Sequence, residues 1–224
     1  MAVIRRLHLP LRVPQDVIAH LGAAHHWKDG RSAKLLIDQW WAANAIPPSV
    51  RALLDQAESW KNAELLDAFA ERQTSLDDGQ ASHSQSDMLA LIGLTAGIGV
   101  LSIEAKVDEG FDKSIARWLA DQSAGKQARL AKLLALFNIS GSNVDALRYQ
   151  LFHRTASAIL EARRYRATEA AMIVQSWSPQ LHGFDDFAAF ANAIGVGGVT
   201  VGGLSDPIQV GGVSLRLGWS SENA

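Results

Sequence analysis

The 224-residue chain contains no cysteine. That absence excludes a disulfide framework, a thiolate metal site and a cysteine nucleophile, and it fits a reducing cytoplasm. Long apolar runs are lacking too. The stretch most like a membrane span, Met88 to Ile103, holds 16 residues, where a spanning helix needs roughly 20. Gly93, Gly97 and Gly99 punctuate it and suit a turn between two strands. At the amino terminus, Pro10 and Arg12 interrupt the residues after Arg5 and Arg6, so neither a signal peptide nor a membrane partner is expected.

A dominant charge is also missing, since 21 Lys and Arg face 23 Asp and Glu. The distribution is less even than the total. Between Lys126 and Arg166 the local net charge is +6, against −8 elsewhere. A basic face of that kind suits phosphate, and it equally suits solvated helix surfaces. With 48% apolar and 20% charged residues, the chain can bury a sizeable core. One domain over residues 1–224 is expected.

Helical spacing runs through "GRSAKLLIDQWWAANAIPPSV", with Ser32 as the expected N-cap and Pro47 and Pro48 as the stop. "SVRALLDQAESW" and "NAELLDAFAER" continue the helical pattern, so residues 1–80 read as mainly helical. "TSLDDGQASHSQS" is a polar loop or a weak edge strand. Asp87–Ile92 and Val100–Val107 are then short apolar runs around a glycine-containing turn, an antiparallel hairpin. "DKSIARWLADQ", "GKQARLAKLLALFNI" and "NVDALRYQLFHRTASAILEARRY" predict three helices, the last capped near Asn143. "AAMIVQSW" predicts a strand, and "FDDFAAFANAIG" a helix ending at Gly195. In residues 196–224, three Gly-Gly pairs between β-branched or leucine residues predict turns between short strands, with a final strand from Ser214 to Trp219. Those strands offer an edge on which a second copy can pair into a homodimer. The order defines an α/β (α+β) domain with helices packed on a central mixed sheet.

Strand alternation places Ser102, Glu104 and Lys106 on one face and Leu101, Ile103 and Ala105 on the other, toward the core. Asp87 opens the preceding strand, so the hairpin can bring it beside Glu104 and Lys106. Two carboxylates supply the hard oxygen ligands that Mg²⁺ or Mn²⁺ takes, and an ammonium can steady charge that develops on a phosphate.

These residues resemble a family. "SD" at Ser86–Asp87, followed by "EAK" at Glu104–Lys106, looks like the PD-(D/E)xK nuclease superfamily with its restriction-endonuclease-like fold. More narrowly, "HHWKDGRSAK", "IEAKVDEGF", "LRYQLFHRTASA" and "LRLGW" resemble an uncharacterised bacterial family assigned to that superfamily, over His26 to Trp219. The resemblance implies a nuclease-like core at residues 81–195. Asp87 and Glu104 would be metal ligands, the Ala105 carbonyl a third, and Lys106 the catalytic lysine. It further implies an acid from the first helix, for which Asp38 is the nearest candidate. The glutamine and tyrosine of the RecB-like branch correspond to Gln150 and, where tyrosine is absent, Arg154. Ser86 stands where the superfamily has proline. The expected function is metal-dependent cleavage of nucleic acid, DNA ahead of RNA. A nuclease-like domain that binds or assembles without turnover is the alternative.

Glu109, Arg148, Gln150 and Arg154 are further candidates for substrate contact. Gln150 and Arg154, at i and i+4, share a helix face. Asp112 reads as an acid at a helix amino terminus. His20, His25 and His26 have no carboxylate at a recognisable ligand spacing, and the tryptophans read as packing residues.

Overall fold

The computed structural model describes His8 and residues 10–79, 82–140 and 144–222. Asn143, the expected helix cap, lies outside the described residues, as do Arg5 and Arg6.

One mixed sheet organises the domain. Its strands are β1 (Glu64–Thr74), β2 (Ser84–Leu94), β3 (Gly97–Lys106), β4 (Glu169–Ser176), β5 (Ile208–Val210) and β6 (Val213–Ser221), in the order β1-β2-β3-β4-β6-β5. β1, β2 and β3 form an antiparallel meander, β4 runs parallel to β3, and β6 parallel to β4. The expected hairpin is β2–β3, closed by Thr95–Ala96 between the paired residues Leu94 and Gly97. Gly99 therefore lies inside β3. A Cβ there would stand 2.8 Å from the buried Trp60 indole, so this glycine makes room for packing. Of the three Gly-Gly pairs only Gly211–Gly212 joins two strands. Both residues have positive φ, as a two-residue hairpin loop requires. The tail strand β6 is interior to the sheet, and the three-residue β5 forms that edge.

Helices cover both faces. On one side α1 (Ser32–Ala43) and α2 (Pro48–Leu54) pack Leu36, Trp40, Val50 and Leu54 onto Ala90, Ile92, Leu101, Ile103 and Ile173. Ser32 is the first helical residue of α1, and Arg31 is its N-cap. On the other side α4 (Ala124–Leu136), α5 (Tyr149–Tyr165) and α6 (Phe184–Ala193) pack Leu133, Phe152, Ile159 and Phe190 with Leu89, Met172, Leu215 and Leu217. No helix among the described residues is long and apolar enough to cross a membrane.

Three expectations need correction. "NAELLDAFAER" is not helical: Asn62 turns the chain at positive φ, and Glu64–Thr74 is the edge strand β1. The segment "DKSIARWLADQ" makes a single turn, α3 (Ile115–Trp118), capped by Ser114. The long helix starts at Tyr149, because the preceding residues pair elsewhere: Leu147 and Asp145 accept the amides of Ile115 and Ala116.

The third strand differs from the expectation in its surroundings. From Gly99 to Lys106 every residue of β3 is buried. The face carrying Ser102, Glu104 and Lys106 does not look out to solvent, because α5 roofs it.

Candidate functional site

β2 and β3 run in register from Leu94↔Gly97 to Met88↔Ile103, so Asp87 follows opposite Glu104. There the ladder opens. The Ala105 amide donates to the Asp87 side chain, at 2.8 Å to Oδ2, in place of a β2 carbonyl. On its other side β3 stays paired, since the Trp177 amide donates to the Lys106 carbonyl at 2.8 Å. Strand alternation then directs the Ala105 carbonyl, like its amide, toward the opening where Asp87 stands.

Glu104 is the hub. Its side chain is 2% exposed and accepts from three donors. Gln150 Nε2 lies 2.6 Å and Lys106 Nζ 2.9 Å from Oε1, while Arg154 Nε lies 2.5 Å from Oε2. The same guanidinium reaches Asp87, with Nη2 3.8 Å from Oδ1. Gln150 is fixed by its own partners, its Oε1 accepting from Lys106 Nζ and from the Asp112 amide, each at 3.2 Å. Lys106 also lies over the Phe111 ring, 5.0 Å from its centroid. The constellation thus gathers Asp87, Glu104 and Lys106 from the hairpin with Gln150 and Arg154 from one face of α5.

Electrostatics separate the two carboxylates. Burial opposes charge on Glu104, yet Arg154 and Lys106 outweigh it and hold the carboxyl down to about 2. Asp87 is escorted more weakly, by the Arg154 guanidinium at 3.8 Å. Burial first, and the Glu104 charge second, push it up to about 8, although a fifth of its side chain reaches the surface. Lys106 is raised despite its burial, because Glu104 and Asp87 favour its charged form.

One acid here was not found in the sequence. Glu71 stands opposite Asp87, between the pairs Ala70↔Met88 and Arg72↔Ser86. It has φ +52°, a left-handed conformation that a glutamate rarely adopts. Burial raises its pKa, and Gln85 Nε2 donates to it at 2.5 Å. Glu71, Asp87 and Glu109 line a cleft of about 370 Å³ together with His25, His26 and Arg31. Only the positive φ distinguishes Glu71, and no composition or spacing signal reports that.

The remaining candidates fall elsewhere. Asp38, proposed from the first helix, turns to Lys34 Nζ at 2.5 Å and is 42% exposed. Arg148 caps α5 and pairs with Asp186 of α6 at 2.9 Å. Glu109 accepts the Val107 amide at 3.3 Å at the cleft's rim. Gln150 and Arg154 do share a face, but it is turned to Glu104 rather than to solvent. Much of the basic segment is paired too, with Lys126 on Asp121, Arg129 on Asp78 and Arg164 on Glu161.

The donor set suits a hard divalent ion in kind. Asp87 keeps lone pairs beyond its one amide bond, Glu104 retains acceptor capacity, and the Ala105 carbonyl is directed to the same opening. Among the described residues no three His, Asp or Glu side chains gather as a metal site. An ion here would therefore take two carboxylates from the chain and the rest of its shell from solvent and substrate, as Mg²⁺ commonly does.

Fold and site together define an α+β domain whose central mixed sheet carries a buried acid–base cluster under one long helix. The chain belongs to the family described as Domain of unknown function (DUF6946), whose profile matches residues 10–224. No curated protein and no solved structure matches it.

Proposed function

We propose that the protein is a metal-dependent phosphodiesterase of nuclease type that acts on nucleic acid, DNA ahead of RNA. The observation carrying this reading is the convergence of Asp87, Glu104 and Lys106 at the opened end of one hairpin, close enough for one guanidinium to touch both carboxylates. The resemblance of the same residues to the PD-(D/E)xK motif supports it. Asp87, Glu104 and the Ala105 carbonyl would hold Mg²⁺ or Mn²⁺, which when bound supplies an acidified water and screens the phosphate charge.

The chain's own groups have defined parts. Lys106 stays protonated and is aimed by Glu104 and Gln150, so its ammonium can meet charge developing on a phosphoryl oxygen without reorganising. Gln150 holds both partners of that pair, which makes it a positioning residue. The cleft beside Asp87 gives a phosphodiester its approach, with Arg31 among its lining residues.

The test compares wild type with Lys106→Ala on plasmid and single-stranded DNA in Mg²⁺ or Mn²⁺. The expected loss is about 10²-fold, typical of removing one positioned catalytic group. Equal cleavage by both proteins sinks the assignment. One feature favours a second reading, a nuclease-like domain that binds without cutting: Arg154 already bridges the acid pair. That reading expects nucleic acid to bind, with no metal-dependent cleavage by wild type.

A further inference from the structure

With both carboxylates ionised, the form in which they would take an ion, the charges around Glu104 already balance. Asp87 and Glu104 face Lys106 and Arg154, and of the four only Asp87 reaches the surface appreciably. Glu71, at the cleft, adds one negative charge nearby when it is ionised. A divalent ion added to this set leaves it at +1 with Glu71 counted, and at +2 without it. Uncompensated charge in so enclosed a place is strongly unfavourable. A cation already there must give way, or an anion must enter with the ion.

Arg154 is the cation in the way. Lys106 touches Glu104 alone of the two acids, at a single oxygen it shares with Gln150. Arg154 spans both, through Nε to Glu104 at 2.5 Å and Nη2 to Asp87 at 3.8 Å. A planar guanidinium suits that bridge as no ammonium does. Nor can it leave by losing its proton, because arginine stays charged in proteins. It can vacate only by moving.

We propose that Arg154 is the resident counter-cation of the Asp87–Glu104 pair, and that a divalent ion gains these carboxylates in competition with its guanidinium. The inference rests on the nuclease-type reading for the identity of the ion, but its geometry stands without it. Arg154 is then a positioning residue. It keeps the acid pair folded and compact while no ion is bound, and once displaced it can take a phosphate oxygen, the other partner for which its fork is shaped. Ion and phosphodiester would help one another to bind, because each draws off what opposes the other.

Mn²⁺ binding, followed by the free-ion EPR signal and by calorimetry, tests this without any activity readout. Wild type, Arg154→Met and Arg154→Lys are titrated alone and with a hydrolysis-resistant phosphorothioate oligonucleotide, and circular dichroism confirms that each is folded. The Met variant is expected to bind Mn²⁺ at least about tenfold more tightly than wild type, within the range of ordinary coupling between sites. The Lys variant, charged but unable to bridge, falls between them and serves if Arg154→Met does not fold. Equal Mn²⁺ affinity in wild type and the variants overturns the proposal. The oligonucleotide arm tests the nuclease reading separately. If the variants gain affinity and the oligonucleotide tightens Mn²⁺ binding in none of the proteins, the competition stands and the nucleic-acid reading falls.

Discussion

Glu104→Gln isolates the most heavily used side chain of the cluster. The substitution keeps shape and removes one charge, leaving Lys106 and Arg154 buried with only Asp87 to face them. The folded protein holds Glu104 at about 2 against an ordinary value of 4.5. At 1.36 kcal/mol per unit, that difference is worth ~3 kcal/mol. Breaking a buried pair from one side costs about 3–5 kcal/mol in general, and the two figures agree. In a chain of this size the loss corresponds to a fall in Tm of roughly 6–20 °C. The sign also fixes a pH window. A depressed carboxylate stabilises above its unfolded value and loses that contribution as pH falls from about 4.5 toward 2. Urea unfolding followed by the fluorescence of seven tryptophans measures the effect through the midpoint at unchanged slope. Arg154→Met in the same background removes the stranded guanidinium, so the double mutant should recover part of the loss. A midpoint within about 1 kcal/mol of wild type, or strictly additive mutations, would refute the claim that Glu104 anchors these cations.

Two further substitutions probe the same end of the sheet. Asp87→Asn should act in the opposite direction to Glu104→Gln. A carboxylate raised to about 8 has its stabilising protonated form intact below 3.8 and loses it as pH rises through 8. The amide variant should therefore match wild type near pH 4 and exceed its Tm at pH 9, and a lower Tm at pH 9 contradicts the assignment. Glu71→Gly should be more stable than Glu71→Ala by about 1 kcal/mol, because only glycine relaxes the left-handed backbone at φ +52°. Equal urea midpoints for those two variants would show that no strain is held there.

The hairpin was legible because its chemistry and its periodicity coincide. Asp87, Glu104 and Lys106 sit in runs short and apolar enough to be strands, and alternation alone puts Glu104 with Lys106. β1 was not legible. Its apolar residues Leu65, Leu66, Phe69 and Ala70 fall at helical spacing in a segment rich in Ala, Leu and Glu. The register slips between Leu65 and Asp67, and Glu71 turns left-handed five residues after Leu66. Two such irregularities in one edge strand erase a period of two, so the pattern that would have exposed the strand was removed by the features that shape it. Glu71 was lost with it, since its place beside Asp87 depends on strand pairing.

Gln150 and Arg154 were half legible. Their spacing establishes a shared helical face. Which way that face points follows from α5 lying on β3, a tertiary fact with no local signature. This is also why Glu104 and Lys106 looked like charges leaving a core, when they are charges inside one. A polar strand face roofed by an apolar helix would be untenable, and the sequence of α5 meets the need with Gln150 and Arg154 one turn apart above Glu104. Arg154 is therefore no neutral residue at this position. It alters the charge balance of the site, and the first consequence to measure is the affinity of the acid pair for a divalent ion.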